Sequence, residues 1–320
     1  MRETASIPPN PIAGRWASLV RVAGRAARLV AGHGVGSLRA RAERVEGPRH
    51  LVFVWQFAID AEPHVIGAVL QRNGLGMILK THHGVEWMSK FDTSPFAVTG
   101  PGQITTLAHY YEEAGVPFHA WTVVKGIDVA REAQMAAHVL EAGARSLFVD
   151  LEPFDGFWEG TSTDAVRYGR ELRRLAPDGH VVLSVDPRPW VIERLPLKEF
   201  VAFSNEIAPQ QYWRSFDTAS NRERFAHAGF RVPPGGVTPE FLNDISTRTL
   251  GGYGLPFNPI GQGAATDLAA WRRFIDHSYG LGARVVSSWR YGVTKKAVFR
   301  LLRRTPPRPL TTGGPAAPTS

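Results

Sequence analysis

Two carboxylates at the end of one apolar segment are the residues of this chain best suited to acid–base chemistry. Residues 146–153 read SLFVDLEP and predict a short buried strand. Because side chains alternate between the faces of a strand, Asp150 and Glu152 share one face. Two carboxylates this close disfavour double ionisation, so we expect a raised pKa for one of them, as a general acid requires. The pair indicates an enzyme, although Glu152-Pro153 is also a turn signal.

Polar or aromatic side chains also end the other segments that predict strands. In chain order they are Gln56; Lys80 with His82 and His83; Trp121; Asp186; Gln210 with Tyr212 and Trp213; Gln262; and Trp289 with Arg290. Tryptophan offers an apolar platform for a sugar ring, and amides and lysine hydrogen-bond hydroxyl groups. The combination predicts a carbohydrate site. Taken singly, each tryptophan also fits a core position, and Lys80 also fits a role in neutralising one of the two carboxylates.

The elements that must position these residues follow a regular alternation from residue 51 onward. Apolar, strand-like segments are 51–57, 75–80, 117–123, 146–151, 180–185, 206–212, 256–261 and 284–289. Amphipathic, helix-like segments between and after them are 61–72, 104–114, 128–142, 163–175, 218–228, 267–280 and 294–303. Eight strands alternating with helices over about 250 residues predict an α/β fold, a single (β/α)₈ TIM-type barrel.

A doubly wound open sheet is the alternative architecture. That fold normally carries a glycine-rich turn after its first strand, and residues 57–60 (FAID) contain no glycine. The barrel is therefore favoured. In a barrel the carboxyl ends of all strands meet at one mouth, so the strand-end residues are expected to surround one site.

The charge distribution argues against nucleic-acid binding. The net charge is +8, but residues 1–50 hold nine arginines, no lysine and three glutamates, and residues 303–320 hold three arginines and no acid. The body, 51–302, is thus near neutral, whereas a nucleic-acid-binding domain carries its basic surface on the folded body. The absence of cysteine excludes disulfides and thiolate chemistry. No cofactor or metal site is indicated, because the histidines lack the spacing of a ligand set.

The changes in composition along the chain predict three regions: a basic, partly helical extension over 1–50, the barrel over 51–304 and a disordered tail over 305–320. Residues 12–31 predict a helix with arginines on one face. It suits a membrane surface or a protein partner, or else packs on the domain with its arginines in solvent. No secretory signal or membrane span is evident, so the sequence leaves localisation and oligomeric state open.

The chain resembles the barrel glycoside hydrolases, nearest to the family-18 chitinase-like and family-25 lysozyme-like groups. The residues that carry the resemblance are Asp150-x-Glu152 on the fourth strand, Gln210-Gln211-Tyr212 on the sixth and Trp289 on the eighth. Two further aspartates begin the chitinase-like motif, and Arg145 and Phe148 stand at their positions here. The resemblance is therefore one of superfamily.

The resemblance implies roles for these residues in a retaining, substrate-assisted hydrolysis. Glu152 would be the general acid/base, Asp150 or else Asp186 would stabilise the reacting centre, Tyr212 would assist, and Trp289 would be the floor of the site. The substrate would be an oligo- or polysaccharide, with N-acetyl groups as an option. The first alternative is a non-catalytic glycan-binding barrel in which Lys80 or Arg290 ties up Glu152. A weaker alternative is a metal-dependent hydrolase using His82, His119 or Asp150.

Overall fold

A computed structural model describes residues 47–265 and 267–308 of the chain. The predicted extension up to residue 46, including the 12–31 helix, lies outside the described residues, as does the predicted tail beyond residue 308. Among the helices within the two ranges, none combines the length and apolar character that a membrane crossing requires.

Eight parallel strands close into a barrel, as predicted. They are β1 (Leu51–Val54), β2 (Gly76–His83), β4 (Phe118–Val123), β5 (Leu147–Leu151), β6 (Val181–Val185), β7 (Glu206–Gln211), β8 (Ile260–Gln262) and β9 (Ser287–Trp289). Each pairs with the next, and β1 pairs with both β2 and β9, which closes the sheet. The two-residue β3 (Glu86–Trp87) adds to the end of β2 as an antiparallel hairpin.

Helices connect the strands on the outside of the barrel. They are α1 (Phe57–Asp60), α2 (Pro63–Asn73), α3 (Pro101–Glu113), α4 (Val129–Glu141), α5 (Ser162–Leu175), α6 (Pro189–Ile192), α7 (Leu197–Val201), α8 (Ala219–His227), α9 (Pro239–Leu250), α10 (Leu268–Gly280) and α11 (Lys296–Arg304). Side-chain caps start several of them, including Asp128 at the start of α4 and Asp267 at the start of α10.

Several predicted element boundaries differ from the structure. The first strand ends at Val54, because residues 57–60 form a helical turn rather than strand. The strand predicted over 256–261 is confined to residues 260–262. Helix α9 was not predicted, although Thr238 caps it and Pro239 stands at its first position, which is a known start signal.

The apolar residues form one layer inside the barrel and one between barrel and helices. Phe53, Trp121 and Phe148 belong to the inner layer, whereas Val149 and Leu151 belong to the outer one. The alternation along β5 therefore holds, with Asp150 on the inward side. The inner layer fills the barrel interior, and a cavity opens at the mouth.

The described residues continue past residue 304, the predicted end of the barrel. The Thr305 carbonyl oxygen accepts a hydrogen bond from His50 Nε2 (2.7 Å), and the Pro306 carbonyl oxygen accepts one from the Tyr279 hydroxyl (3.0 Å). Arg308 donates to the Tyr279 carbonyl oxygen at 2.8 Å and lies over its ring. His50, within the predicted extension, and Thr305, Pro306 and Arg308, within the predicted tail, thus contact the barrel or one another.

A buried ion pair joins the first and last strands at the mouth. Asp60 follows β1 and pairs with Arg290, which directly follows β9; the Asp60 side chain is fully buried. Asp60 also accepts hydrogen bonds from the backbone N–H groups of Trp55 (2.7 Å) and Gly292 (3.0 Å). The carboxylate therefore holds two loops and one cation where the barrel closes.

We expect Asp60→Ala to lower the free energy of unfolding by about 3–5 kcal/mol, because it leaves the Arg290 charge and two N–H groups without their partner. Urea unfolding at neutral pH measures the change. Glu86→Gln is the control, because it breaks the exposed Lys90–Glu86 pair and is expected to cost less than about 1 kcal/mol. Equal effects of the two substitutions would contradict the structural role of Asp60.

Candidate active site

A cavity of about 390 Å³ opens at the carboxyl-terminal mouth of the barrel. Its volume lies in the range of small-molecule sites. The wall is mostly apolar and rich in aromatic side chains, with polar groups at the strand ends. The lining residues are Phe53, Trp55, Gln56, Lys80, His83, Met88, Phe91, Trp121, Val123, Phe148, Asp150, Glu152, Phe157, Ser184, Gln210, Tyr212, Ile260 and Trp289.

Eight of the predicted site residues line this one cavity. They come from β1, β2, β4, β5, β7 and β9 or from the residues just after them, and they are Gln56, Lys80, Trp121, Asp150, Glu152, Gln210, Tyr212 and Trp289. Positions far apart in sequence meet because every parallel strand ends at the same mouth.

One amide bridges the two carboxylates. Gln210 Nε2 donates to Asp150 Oδ1 at 2.7 Å and to Glu152 Oε1 at 3.1 Å. The Ser184 hydroxyl also donates to Asp150 Oδ1, at 3.2 Å. The bridge places both carboxylates against the same amide nitrogen, with Asp150 deeper and Glu152 nearer the opening.

The pair differs from the other buried carboxylates of the chain in its hydrogen-bond partners. Glu132 accepts the backbone N–H groups of residues 125–128, and Asp92 accepts those of Phe57, Ala58 and Ser94. Those carboxylates hold loops. Within the described residues, Asp150 and Glu152 accept hydrogen bonds from side chains alone. A role in holding a loop therefore does not explain why these two carboxylates lie in the barrel mouth.

Burial dominates the electrostatics of both carboxyl groups. It raises the pKa of Glu152 to about 7; the nearby Asp186 charge adds to the rise, while Gln210 and Arg188 oppose it. Burial also raises the pKa of Asp150, with the Glu152 charge as the next cause, while Lys80, Ser184 and Gln210 favour its ionised form. The sequence predicted repulsion as the cause of a raised pKa; desolvation is the larger one.

Asp186, a predicted catalytic candidate, lies beside the cavity rather than in its wall. Its carboxylate is paired with Arg188, whose Nε and Nη2 contact both Asp186 oxygens at 2.5–3.0 Å. The Arg188 guanidinium also lies 4.1 Å from the centre of the Phe216 ring. Asp186 therefore acts on Glu152 through its charge, and its own oxygens are occupied by Arg188.

Tyr212 and Trp289 line the same cavity as the two carboxylates. Burial raises the pKa of Tyr212 well above its usual value, and the charges of Asp150, Glu152 and Asp186 add to the rise. The hydroxyl is therefore neutral at physiological pH. The Trp289 ring is half-buried and packs edge-on against Phe53 and Trp121, with ring centres 5.4 and 5.2 Å apart. This packing fixes its orientation in the cavity wall.

Trp121 contacts other residues of the site and leaves little of its ring exposed for a sugar. Its indole Nε1 donates to the Val54 carbonyl oxygen at 3.0 Å, and its ring is 3% exposed. The Lys80 ammonium lies 4.6 Å from the ring centre. Trp121 lines the cavity, but one of its faces is occupied by the lysine.

The structure places three predicted substrate-binding residues away from the cavity. Trp213 packs between barrel and helices, against Trp271 and Phe274. The Gln262 amide accepts the backbone N–H groups of residues 214 and 215 and so holds that loop. Arg290 pairs with Asp60 and lies over the Trp55 ring, so it is used in closing the barrel.

The residue pattern of the sequence does not indicate several of the residues that line the cavity. Ser184 contacts Asp150 and is the one polar residue among the inward positions of β6; this polarity within an apolar strand was an available signal. Phe91 and Phe157 come from loops that no strand pattern places. The Gln56 amide donates to the Phe91 carbonyl oxygen at 3.0 Å, so it holds one of these loops against the cavity.

The histidines named in the metal hypothesis are dispersed. His82 is buried with Nδ1 2.9 Å from the Thr81 hydroxyl, and His119 has Nδ1 2.7 Å from the Ser146 hydroxyl. Burial lowers the pKa of each to about 3. In residues 47–265 and 267–308, no three histidine or carboxylate side chains gather as a metal-binding group.

Comparisons with known proteins detect the fold but no sequence relative. No protein-family model and no curated protein matches the chain. Among solved structures, it is similar to the spore cortex-lytic enzyme SleL of Bacillus cereus (TM-score 0.51, 10% identity, 84% of this chain and 77% of that one). It is also similar to the ICChI chitinase of Ipomoea carnea (TM-score 0.50, 9% identity, 80% and 99%). A third is a putative α-L-fucosidase of Bacteroides thetaiotaomicron (TM-score 0.51, 6% identity, 80% and 92%). The chain thus has the barrel fold of these glycoside hydrolases.

Proposed function

We propose that this protein is a glycoside hydrolase that cleaves a glycan with Glu152 as general acid/base. The observation that carries the proposal is the Asp150–Glu152 pair in an aromatic cavity, bridged by Gln210 and held by side chains alone. Buried charge is costly, and these two carboxylates hold no loop in place. Catalysis gives them a reason to be there.

Glu152 has the properties of a proton donor. With a pKa raised to about 7, it is largely protonated at mildly acidic pH and still ionises readily near neutrality. A group of this kind can protonate the leaving glycosidic oxygen and then, as carboxylate, take a proton from water. Its position at the opening of the cavity leaves it accessible to a bound sugar.

Asp150 is the better candidate for stabilising charge at the anomeric carbon. It lines the cavity, whereas the oxygens of Asp186 are paired with Arg188. The neutral Tyr212 hydroxyl lies among the same charges and is suited to donate a hydrogen bond. With Asp150 deep and Tyr212 beside it, a substrate-assisted, retaining reaction on an N-acetylated sugar is the mechanism we propose.

The aromatic wall supports a carbohydrate substrate. Trp289 is half-buried with its ring fixed by Phe53 and Trp121, as expected of a platform for the apolar face of a sugar ring. The names of two similar structures, a chitinase and a spore cortex-lytic enzyme, support glycans with N-acetyl groups as the first substrates to try.

The state of Glu152 weighs against a barrel that only binds glycans. That alternative requires Lys80 or Arg290 to neutralise Glu152. Arg290 is paired with Asp60, and within the described residues no lysine or arginine forms an ion pair with Glu152. A carboxyl group at the cavity opening that forms no ion pair within the described residues favours catalysis over binding alone.

We expect Glu152→Gln to reduce kcat at least about 100-fold, because it keeps the shape of the side chain and removes the ionisable proton. Release of reducing ends from chito-oligosaccharides and peptidoglycan glycan strands is the measurement. Glu193→Gln, at an exposed glutamate, is the matched control. Undiminished hydrolysis by the Glu152 variant would refute the mechanism, and glycan binding without hydrolysis by the parent would favour the non-catalytic alternative.

The pH dependence of kcat/KM should show a basic limb near pH 7. Glu152 must be protonated to act as acid, and its pKa is raised to about 7, so activity falls as pH rises through that value. Initial rates between pH 4 and 9, under conditions where the protein stays folded, measure the limb. Full activity at pH 9 would be inconsistent with Glu152 as the acid.

The same pKa predicts a stability effect that needs no substrate. Burial favours protonated Glu152, so its contribution to stability is present below the unfolded pKa of about 4.5 and is lost as pH rises through about 7. Glu152→Gln has no carboxyl group to ionise and so avoids this loss. The difference in the free energy of unfolding, variant minus parent, should therefore be about 2–3 kcal/mol more positive at pH 8 than at pH 4.5. Urea unfolding at both pH values tests this; a pH-independent difference would contradict it.

A further inference from the structure

Lys80 is a buried amine that the proposed hydrolysis does not use. Its side chain lines the cavity from β2, and among the described residues of the wall it is the only lysine or arginine. The ammonium lies 4.6 Å from the centre of the Trp121 ring. Within the described residues, no carboxylate lies at ion-pair distance from it. A buried lysine without such a partner is uncommon, because removing a charge from water is costly.

An irregularity in β2 brings the His83 imidazole to the same side of the strand as the Lys80 amine. Side chains three positions apart on a regular strand point to opposite faces. Here Lys80 and His82 pair with consecutive residues of β4, so Thr81 between them has no partner and the register shifts by one residue. Lys80 and His83 therefore both line the cavity, with 3.4 Å between Lys80 Nζ and His83 Nδ1. An extra residue of this kind redirects side chains and is common beside active sites.

The hydrogen bonds of His83 leave its Nδ1 as a proton acceptor that faces the amine. His83 Nε2 lies 2.9 Å from the Gly156 carbonyl oxygen, and because that oxygen can only accept, Nε2 carries the ring proton. Burial lowers the pKa of His83, the Gly156 hydrogen bond opposes the shift, and the Lys80 charge adds to it. The imidazole is thus neutral at physiological pH. A base within reach of an amine is an arrangement that activates a nucleophile.

The environment of Lys80 also favours its uncharged form. Burial lowers the pKa of the ammonium to about 8, although the Asp150 charge opposes the shift. At pH 7 about a tenth of such side chains carry a free amine, against less than about 0.1% for a lysine in water. The free amine is the form that attacks a carbonyl carbon, and a desolvated lysine is a common source of it.

We propose that Lys80 forms an imine with a small, uncharged aldehyde or ketone in the cavity, with His83 as the proton acceptor. The amine nitrogen bonds to the carbonyl carbon, and a C=N bond replaces the C=O bond. The two protons of the neutral amine leave with the carbonyl oxygen as water, one of them relayed by His83 Nδ1. This covalent chemistry goes beyond the glycan hydrolysis proposed above and does not depend on it.

The wall of the cavity favours a carbonyl compound that carries hydroxyl groups and no negative charge. Asp150 and Glu152 line the same cavity, and apart from the reacting amine no lysine or arginine among the described residues lines it. A keto acid would therefore meet carboxylates without a paired cation. Gln210, Ser184 and Tyr212 offer amide and hydroxyl groups to a hydroxylated ligand. Short hydroxyaldehydes and the open-chain forms of reducing sugars have this chemistry.

Reductive trapping of the full chain, with no glycan present, tests the proposal. Glycolaldehyde with sodium cyanoborohydride converts an imine to a stable secondary amine, and peptide mapping by mass spectrometry locates it. At pH 7 we expect the Lys80 adduct to form at least about tenfold faster than the adduct at Lys90, an exposed lysine, because burial enlarges the free-amine fraction of Lys80. The rate at Lys80 should rise with pH and level off above about pH 8. Pyruvate in place of glycolaldehyde should label Lys80 more slowly.

Two substitutions at histidines separate activation by His83 from simple exposure of the lysine. His83→Phe keeps an aromatic ring and removes Nδ1, so it should slow the trapping of Lys80 at least about tenfold. His64→Phe, at an exposed histidine of α2, is the matched control and should leave the rate unchanged. An unchanged rate in the His83 variant would remove His83 from the mechanism.

The parent protein alone decides the central point, even if a variant does not fold. Labelling of Lys80 no faster than that of Lys90 would overturn the proposal. Equal labelling of Lys80 by pyruvate and glycolaldehyde would overturn the selection for an uncharged ligand. Absence of glycan hydrolysis would contradict the proposed function and would leave the trapping result intact, because the trapping involves no glycan.

Discussion

Asp150 and Glu152 occupy an environment that opposes their ionisation. The inner aromatic layer of the barrel lies beneath them, and the cavity around them is mostly apolar. Removing a carboxylate from water is unfavourable unless hydrogen bonds or opposite charge compensate it. Gln210, Ser184 and Lys80 supply that compensation, and each comes from a different strand. The polar side chains of the cavity are therefore placed around the two carboxylates. Their compensation is incomplete, because burial still raises the pKa of both carboxyl groups.

The rest of the barrel mouth contains buried carboxylates with a different task. Asp60, Asp92 and Glu132 accept backbone N–H groups and hold the connections after β1, β2 and β4. Asp60 in addition binds Arg290 and so joins the two strands at which the barrel closes. These hydrogen bonds anchor the loops around the mouth. Preorganised polar groups of this kind act on a reacting centre without the rearrangement that water would need.

Some of the aromatic residues stabilise the fold, and others line the cavity. Trp213 and Trp271 stabilise the layer between barrel and helices, whereas Trp289 faces the cavity. Trp121 does both, because its indole nitrogen binds the backbone of β1 while its ring supports Lys80. A tryptophan at a strand end is therefore not by itself a sugar platform, and only the direction of its ring distinguishes the two uses.

The sequence by itself determined the features that depend on local alternation. Strands recur with helices between them, Asp150 and Glu152 share a face, and polar residues collect at strand ends; each of these follows from residue spacing, and the structure contains each of them. Only the tertiary structure decided how the polar strand-end residues are shared out. Arg290, Gln262 and Asp186 form ion pairs or hydrogen bonds that stabilise the fold. Ser184 donates a hydrogen bond to Asp150, and the charge of Lys80 favours the ionised form of Asp150. Except for the local Asp186–Arg188 pair, these pairings join segments far apart in sequence, and they depend on the register and closure of the barrel, which no local pattern encodes.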